Sequence, residues 1–162
     1  MKKIKFLKVM IPALFIAMAS FSGCKGDADS VIDPNDTIPI VKVIKELPKM
    51  YLNGNLVVGE HAIVRTQAEL LAIFPQEEIE QSPDLMEIDF NTQTLLIGRD
   101  VYECLAVFNY DFSLTGQNQY TFTVDIFGGW TIYDYGFLYG IVVTKLPVNA
   151  EVIFNINKQS HQ

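Results

Sequence analysis

Tyr102-Glu103-Cys104-Leu105-Ala106-Val107-Phe108-Asn109-Tyr110-Asp111-Phe112-Ser113-Leu114 places an apolar residue at every second position. After Thr115-Gly116-Gln117-Asn118-Gln119 the same rhythm resumes in Tyr120-Thr121-Phe122-Thr123-Val124-Asp125-Ile126. Side chains of an extended strand point alternately to its two faces, so this period of two gives one apolar and one wet face. The pattern predicts a long β-hairpin turned at Thr115-Gly116-Gln117-Asn118, with Asn109, Asp111, Ser113, Thr121, Thr123 and Asp125 toward water.

Working outward, Phe137 to Lys145 and Ala150 to Ile156 read as two further strands joined through Pro147-Val148-Asn149. Upstream, Ile40 to Ile44, Leu56 to Val58, Ala62 to Val64, Ile88 to Phe90 and Thr94 to Gly98 read as short strands, with breaks at Asn53-Gly54-Asn55, Gly59 and Asn91-Thr92-Gln93. Between them, Thr66-Gln67-Ala68-Glu69 is a capping-box pattern. The threonine oxygen accepts from the backbone N–H three residues on, and the glutamate reaches back to the first N–H. Leu70, Leu71, Ile73 and Phe74 follow and Pro75 ends the run, which predicts one short amphipathic helix. The expected fold is therefore α+β: a mostly antiparallel β-sheet with one short capped helix packed on it, spanning residues 40–158. A β-sandwich is the alternative.

The first residues have another character. Lys2, Lys3, Lys5 and Lys8 precede a mostly apolar stretch from Val9 to Phe21, and Ser22-Gly23-Cys24 closes it with small residues before a thiol. A stretch this short does not span a hydrocarbon core about 30 Å thick, which takes about 20 apolar residues. Residues 1–23 read as a lipoprotein signal peptide and Cys24 as the lipid attachment residue. Two acyl chains on Cys24 hold a protein at a membrane surface, each buried methylene contributing about 0.8 kcal/mol. Residues 24–39 carry Asp27, Asp29, Asp33 and Asp36 with few apolar side chains and read as an acidic flexible tether.

The formal charge is −7; the leader holds four lysines and no acid, so its removal takes the charge to −11. A field of that sign repels phosphate backbones, so nucleic acid is not an expected partner. The acidic stretch Glu77, Glu78, Glu80, Asp84, Glu87 and Asp89 is expected to be solvated loop and helix surface. Once Cys24 carries lipid, Cys104 has no thiol left to pair with. It lies on the apolar side of an alternating run and reads as a small hydrophobe.

The chain contains no Gly-x-Ser-x-Gly elbow, no His-Glu-x-x-His, no paired Cys-x-x-Cys and no phosphate-binding loop. Besides the near-terminal His161 the only imidazole is His61, which reads as a turn-edge residue. No catalytic residue, metal ligand or cofactor is therefore assigned. The most suggestive segment is Gly128 to Gly140, where Trp130, Tyr133, Tyr135 and Tyr139 lie between glycines. Trp and Tyr join apolar area to a hydrogen-bonding tip, which suits contact with a sugar or a protein. The competing reading makes Tyr133, Tyr135, Phe137 and Tyr139 the alternating inward face of a core strand, with Trp130 off that register.

The leader, with Lys25-Gly26-Asp27-Ala28-Asp29 after Cys24, resembles those of Bacteroidetes-type envelope lipoproteins. That resemblance implies residence in the outer membrane, including its outer face. In addition, Glu87-Ile88-Asp89-Phe90-Asn91-Thr92-Gln93-Thr94-Leu95-Leu96-Ile97-Gly98 after the capped helix resembles the C-terminal domain of protease-complex-associated lipoproteins of the PrcB type; no functional residue carries over. The expected function is a lipid-anchored cell-envelope protein whose non-catalytic domain binds a protein partner. A glycan-binding accessory lipoprotein is the alternative, and a hydrolase with an acid pair the third reading.

Overall fold

Leu95, Leu96 and Ile97 are consecutive and all fully buried. Successive strand residues face opposite ways, so this requires cover on both sides of their sheet. The computed structural model describes residues 37–45, 47, 55–103, 107–128 and 134–159 and shows what the two covers are. Leu95 and Ile97 pack among helices, whereas Leu96 faces a second sheet.

The strands are β1 (Lys42–Val43), β2 (His61–Val64), β3 (Gln93–Glu103), β4 (Val107–Gly116), β5 (Gln119–Phe127), β6 (Asp134–Thr144) and β7 (Glu151–Gln159). One sheet has the order β1-β6-β3-β2 and is antiparallel throughout. The other has the order β4-β5-β7, with β4 antiparallel and β7 parallel to β5. The parallel pair needs no crossover helix, because β6 lies in the other sheet and carries the chain back to the end where β5 began. Helices α1 (Gln67–Ile73), α2 (Gln76–Ile79) and α3 (Pro83–Met86) cover the outer face of the four-stranded sheet. Of the two architectures the pattern allows, the molecule combines the parts: a β-rich α+β domain with helices on one face and a second sheet on the other.

The capped helix forms as read. The Thr66 hydroxyl accepts from the Glu69 N–H at 3.2 Å, and the Glu69 carboxylate accepts from the Thr66 N–H at 3.1 Å. Its buried face, Leu70 and Ile73, joins Phe74 in the helix-side core. The acidic stretch is two further one-turn helices that turn Ile79 and Leu85 inward and leave Glu77, Glu80 and Glu87 exposed.

Three strand expectations need correction. Ile88 to Phe90 is not a strand, because the Asp89 carboxylate accepts from the Asn91 N–H at 3.0 Å and the Thr92 hydroxyl at 2.9 Å, closing a local turn. Leu56 to Val58 is a turn whose Glu60 N–H donates to the Val57 carbonyl, with Gly59 at φ 86°. The long strand from Tyr102 to Leu114 is two strands in different sheets, since Tyr102 lies in β3, which ends at Glu103, and β4 begins at Val107. From Val107 onward the hairpin forms, with Asn118 at φ 57° in its turn.

Thr37 bridges Ser113 of β4, and the Ile38 N–H donates to the Phe112 carbonyl at 2.8 Å. Five residues later Lys42 and Val43 pair with β6. This one segment therefore crosses from the edge of one sheet to the edge of the other.

Candidate functional site

Between the two sheets lies a file of aromatic rings in contact from Tyr110 to Phe108, with a separate stacked pair beside it. Phe112 and Tyr120 stack with centroids 5.5 Å apart, Tyr110 lies 5.9 Å from Phe122, and Phe122 lies 6.2 Å from Tyr139. Tyr139 then reaches Phe137 at 6.1 Å, and Phe137 meets Phe108 at 5.0 Å. The alternation in β4, β5 and β6 produces this file, because each strand contributes every second residue. Burial is graded across these rings. Phe112 and Phe122 are sealed, Tyr139 retains 2% exposure, and Phe108, Tyr110 and Phe137 are half-buried.

The half-buried rings mark the end of the inter-sheet space where the chain leaves β3 for β4 and β5 for β6. The same end carries charge. Lys158 of β7 holds Asp100 of β3 at 2.8 Å and also donates to the Val101 carbonyl at 3.1 Å. The Tyr102 hydroxyl, beside it on β3, donates to the Gln159 carbonyl. This end therefore joins apolar ring surface to an ion pair that links the two sheets.

Electrostatics keep the phenols neutral. Burial pushes Tyr110 up to about 12. Tyr139 is likewise pushed up to about 12, by burial first and then by the negative charge of Asp100 and of Tyr110 were it ionised. Neither phenol is poised as a base near neutral pH, where a general base works best.

Of the residues singled out from the sequence, Tyr139 is in the core, its ring between Phe122 and Phe137. It is a wall of the inter-sheet space, 2% exposed. Tyr135 pairs through its backbone with Tyr102. Cys24, Trp130, Tyr133 and Cys104 lie outside the described residues. The structure adds Phe108, Tyr110, Phe137, Asp100 and Lys158. The first three carried a signal in their alternation. Asp100 and Lys158 carried none, being brought together across 58 residues of chain.

His61 opens β2 and is exposed, with its ring stacked on Phe154 at 4.2 Å. At the other end of the sandwich, a shallow recess of about 380 Å³ is lined by Gln117, Asn118, Gln119, Asn149 and Glu151. Gln119 and Glu151 bond one another across it at 3.3 Å. Among the described residues no group of three or more His, Cys, Asp or Glu side chains could hold a metal ion. Nor is any described helix long and apolar enough to cross a membrane. No protein-family model, curated protein or solved structure matches this chain.

Proposed function

We propose that this chain is a lipid-anchored cell-envelope protein, held at the membrane through Cys24, whose domain binds a protein partner without catalysing a reaction. The observation that carries the reading is the graded aromatic file. Its rings pass from sealed to half-buried toward the end of the sandwich where β5 ends and β6 begins, strands that Trp130 and Tyr133 separate in sequence. Half-buried aromatic rings bordered by charge match the composition of a protein-binding hot spot. Asp100 and Lys158 supply that rim. A glycan is the second reading, favoured by the same rings, which offer the flat apolar faces on which sugars stack.

A photo-crosslinking residue placed at Trp130 of the full-length protein in intact cells tests the first reading. It should yield one discrete adduct that a label at Val148, 92% exposed at the other end of the sandwich, does not. Equal labelling from both positions would refute a specific site there. A polysaccharide titration that shifts Trp130 fluorescence, with no protein adduct, would transfer the assignment to the glycan. Mass spectrometry of the native amino terminus tests the anchor separately: a diacylated Cys24 is expected, and an intact Met1 would refute it.

A further inference from the structure

We propose that β7 is the seam through which two copies of this chain pair, its outer edge joining the same edge of a second copy in antiparallel register centred on Phe154. Among the described residues β7 ends its sheet, with β5 on one side and no strand on the other. The opposite edge of that sheet, β4, is crossed by Thr37 and Ile38. The Glu151 N–H donates to the Asn118 carbonyl on the β5 side. In a parallel ladder a residue's N–H and C=O point to the same side and alternate along the strand. Residues 151, 153, 155 and 157 are therefore spent on β5, and Val152, Phe154 and Ile156 present their backbone groups outward.

Soluble proteins protect such edges with proline, inward charge or a bulge. From Val152 to Asn157 the strand has none of these, and it pairs residue for residue with β5 without interruption. Its outer face carries Ile153 at 58% exposure, and its inner face carries the half-buried Val152, Phe154 and Ile156. Phe154 is held in place by the His61 ring at 4.2 Å and the Phe122 edge at 5.6 Å.

What favours a second copy over an unrelated strand is that this edge complements itself. A two-fold axis perpendicular to the sheet keeps each face on its own side, so opposed residues must share a face. Centred on Phe154, the register sets Phe154 against Phe154 and Val152 against Ile156, an apolar strip. Each of these is an outward-pointing position able to exchange both backbone bonds with its opposite. On the other face Ile153 meets Asn155 and Glu151 meets Asn157, while Lys158 falls opposite Ala150. No like charges meet, and the two three-stranded sheets become one of six strands.

Sedimentation of the full chain in nonionic detergent tests this, with circular dichroism confirming that each variant is folded. Wild type is expected to dimerise reversibly. Ile153→Lys combined with Asn155→Lys opposes like charges twice in this register and should weaken the dimer by on the order of tenfold. Ile153→Lys with Asn155→Glu opposes unlike charges at the same positions and should restore it. Val152→Pro removes an outward N–H that the β5 ladder does not use and should also dissociate the dimer. A monomeric wild type, whether or not a strand of another protein is found on this edge, overturns the proposal. So does a dimer indifferent to the double lysine variant, or one that the lysine–glutamate pair fails to recover.

Discussion

Tyr139 lies directly opposite Gly98 in the β3–β6 ladder, and its ring occupies the space a Gly98 side chain would need. A Cβ on Gly98 would stand 2.1 Å from the Tyr139 hydroxyl oxygen and 2.2 Å from its ring carbon Cζ. Tyr139 cannot swing aside, since it is 2% exposed and wedged between Phe122 and Phe137. The glycine is thus required by close approach, and the ring supplies the contact that the missing side chain would have made.

Gly98→Ala is accordingly expected to destabilise the fold by about 3 kcal/mol, the upper part of the range for overpacking a tight core. Tyr139→Phe should not relieve it, because the clash reaches a ring carbon as well as the hydroxyl. Tyr139→Leu in the same background should recover part of the loss, so the two substitutions will be less than additive in a urea-denaturation cycle. Additive losses would refute the contact.

The two raised phenols give stability a defined alkaline limit. Tyr110 and Tyr139 are both pushed to about 12 from an ordinary value of 10.0. The folded state keeps these protons where the unfolded chain releases them, so their contribution is whole below pH 10 and drains away between pH 10 and about 12. Absorbance of tyrosinate during a pH titration should show at least two of the seven tyrosines, Tyr110 and Tyr139, ionising late and together with unfolding. Tyr110→Phe should remove one of the two. Ionisation of Tyr110 and Tyr139 near pH 10, with the fold intact, would contradict the burial argument.

Thr66→Ala should cost about 1 kcal/mol, the usual effect of losing a helix N-cap, because the Glu69 N–H loses its acceptor. Thr66→Ser keeps the oxygen and should be nearly neutral. Glu69 also accepts from the Arg65 N–H at 2.5 Å, so Glu69→Ala strands two backbone donors and should cost at least as much as Thr66→Ala. Chemical denaturation of the three variants checks the order.

This helix was readable from the chain because every interaction that starts it lies within four residues. The Val107–Phe127 hairpin was readable for the same reason, its alternation and turn being local. What failed was the join between sheets. Tyr102 and Phe108 keep the same alternation although they belong to different layers, since a period of two records only which residues are apolar and not which partner buries them. The Asp89 turn was missed because its carboxylate satisfies nearby backbone and hydroxyl donors, a competition that the apolar pattern of Ile88 and Phe90 hides. The candidate end of the sandwich divides likewise: its rings follow from alternation, while its ion pair depends on two strands in different sheets meeting.

That ion pair allows the last test. Asp100 is 16% exposed at its side chain and Lys158 38%, so the pair is partly screened and belongs near the upper end of the modest range for surface pairs, at about 1 kcal/mol of coupling. Asp100 also accepts from the Val101 N–H at 2.7 Å, which keeps the carboxylate fixed when Lys158 is removed. Lys158→Met therefore leaves a fixed, mostly covered charge without its cation, whereas Asp100→Asn combined with Lys158→Met leaves none. The single lysine variant should be less stable than the double one. Added salt should narrow the gap by screening the stranded carboxylate's remaining charge interactions, weakly because it is mostly covered. Denaturation of the two variants at low and high ionic strength measures both effects. A double variant less stable than Lys158→Met would mean that Asp100 acts through its backbone bond alone, leaving Tyr102 and the apolar rings to join the two sheets at that end.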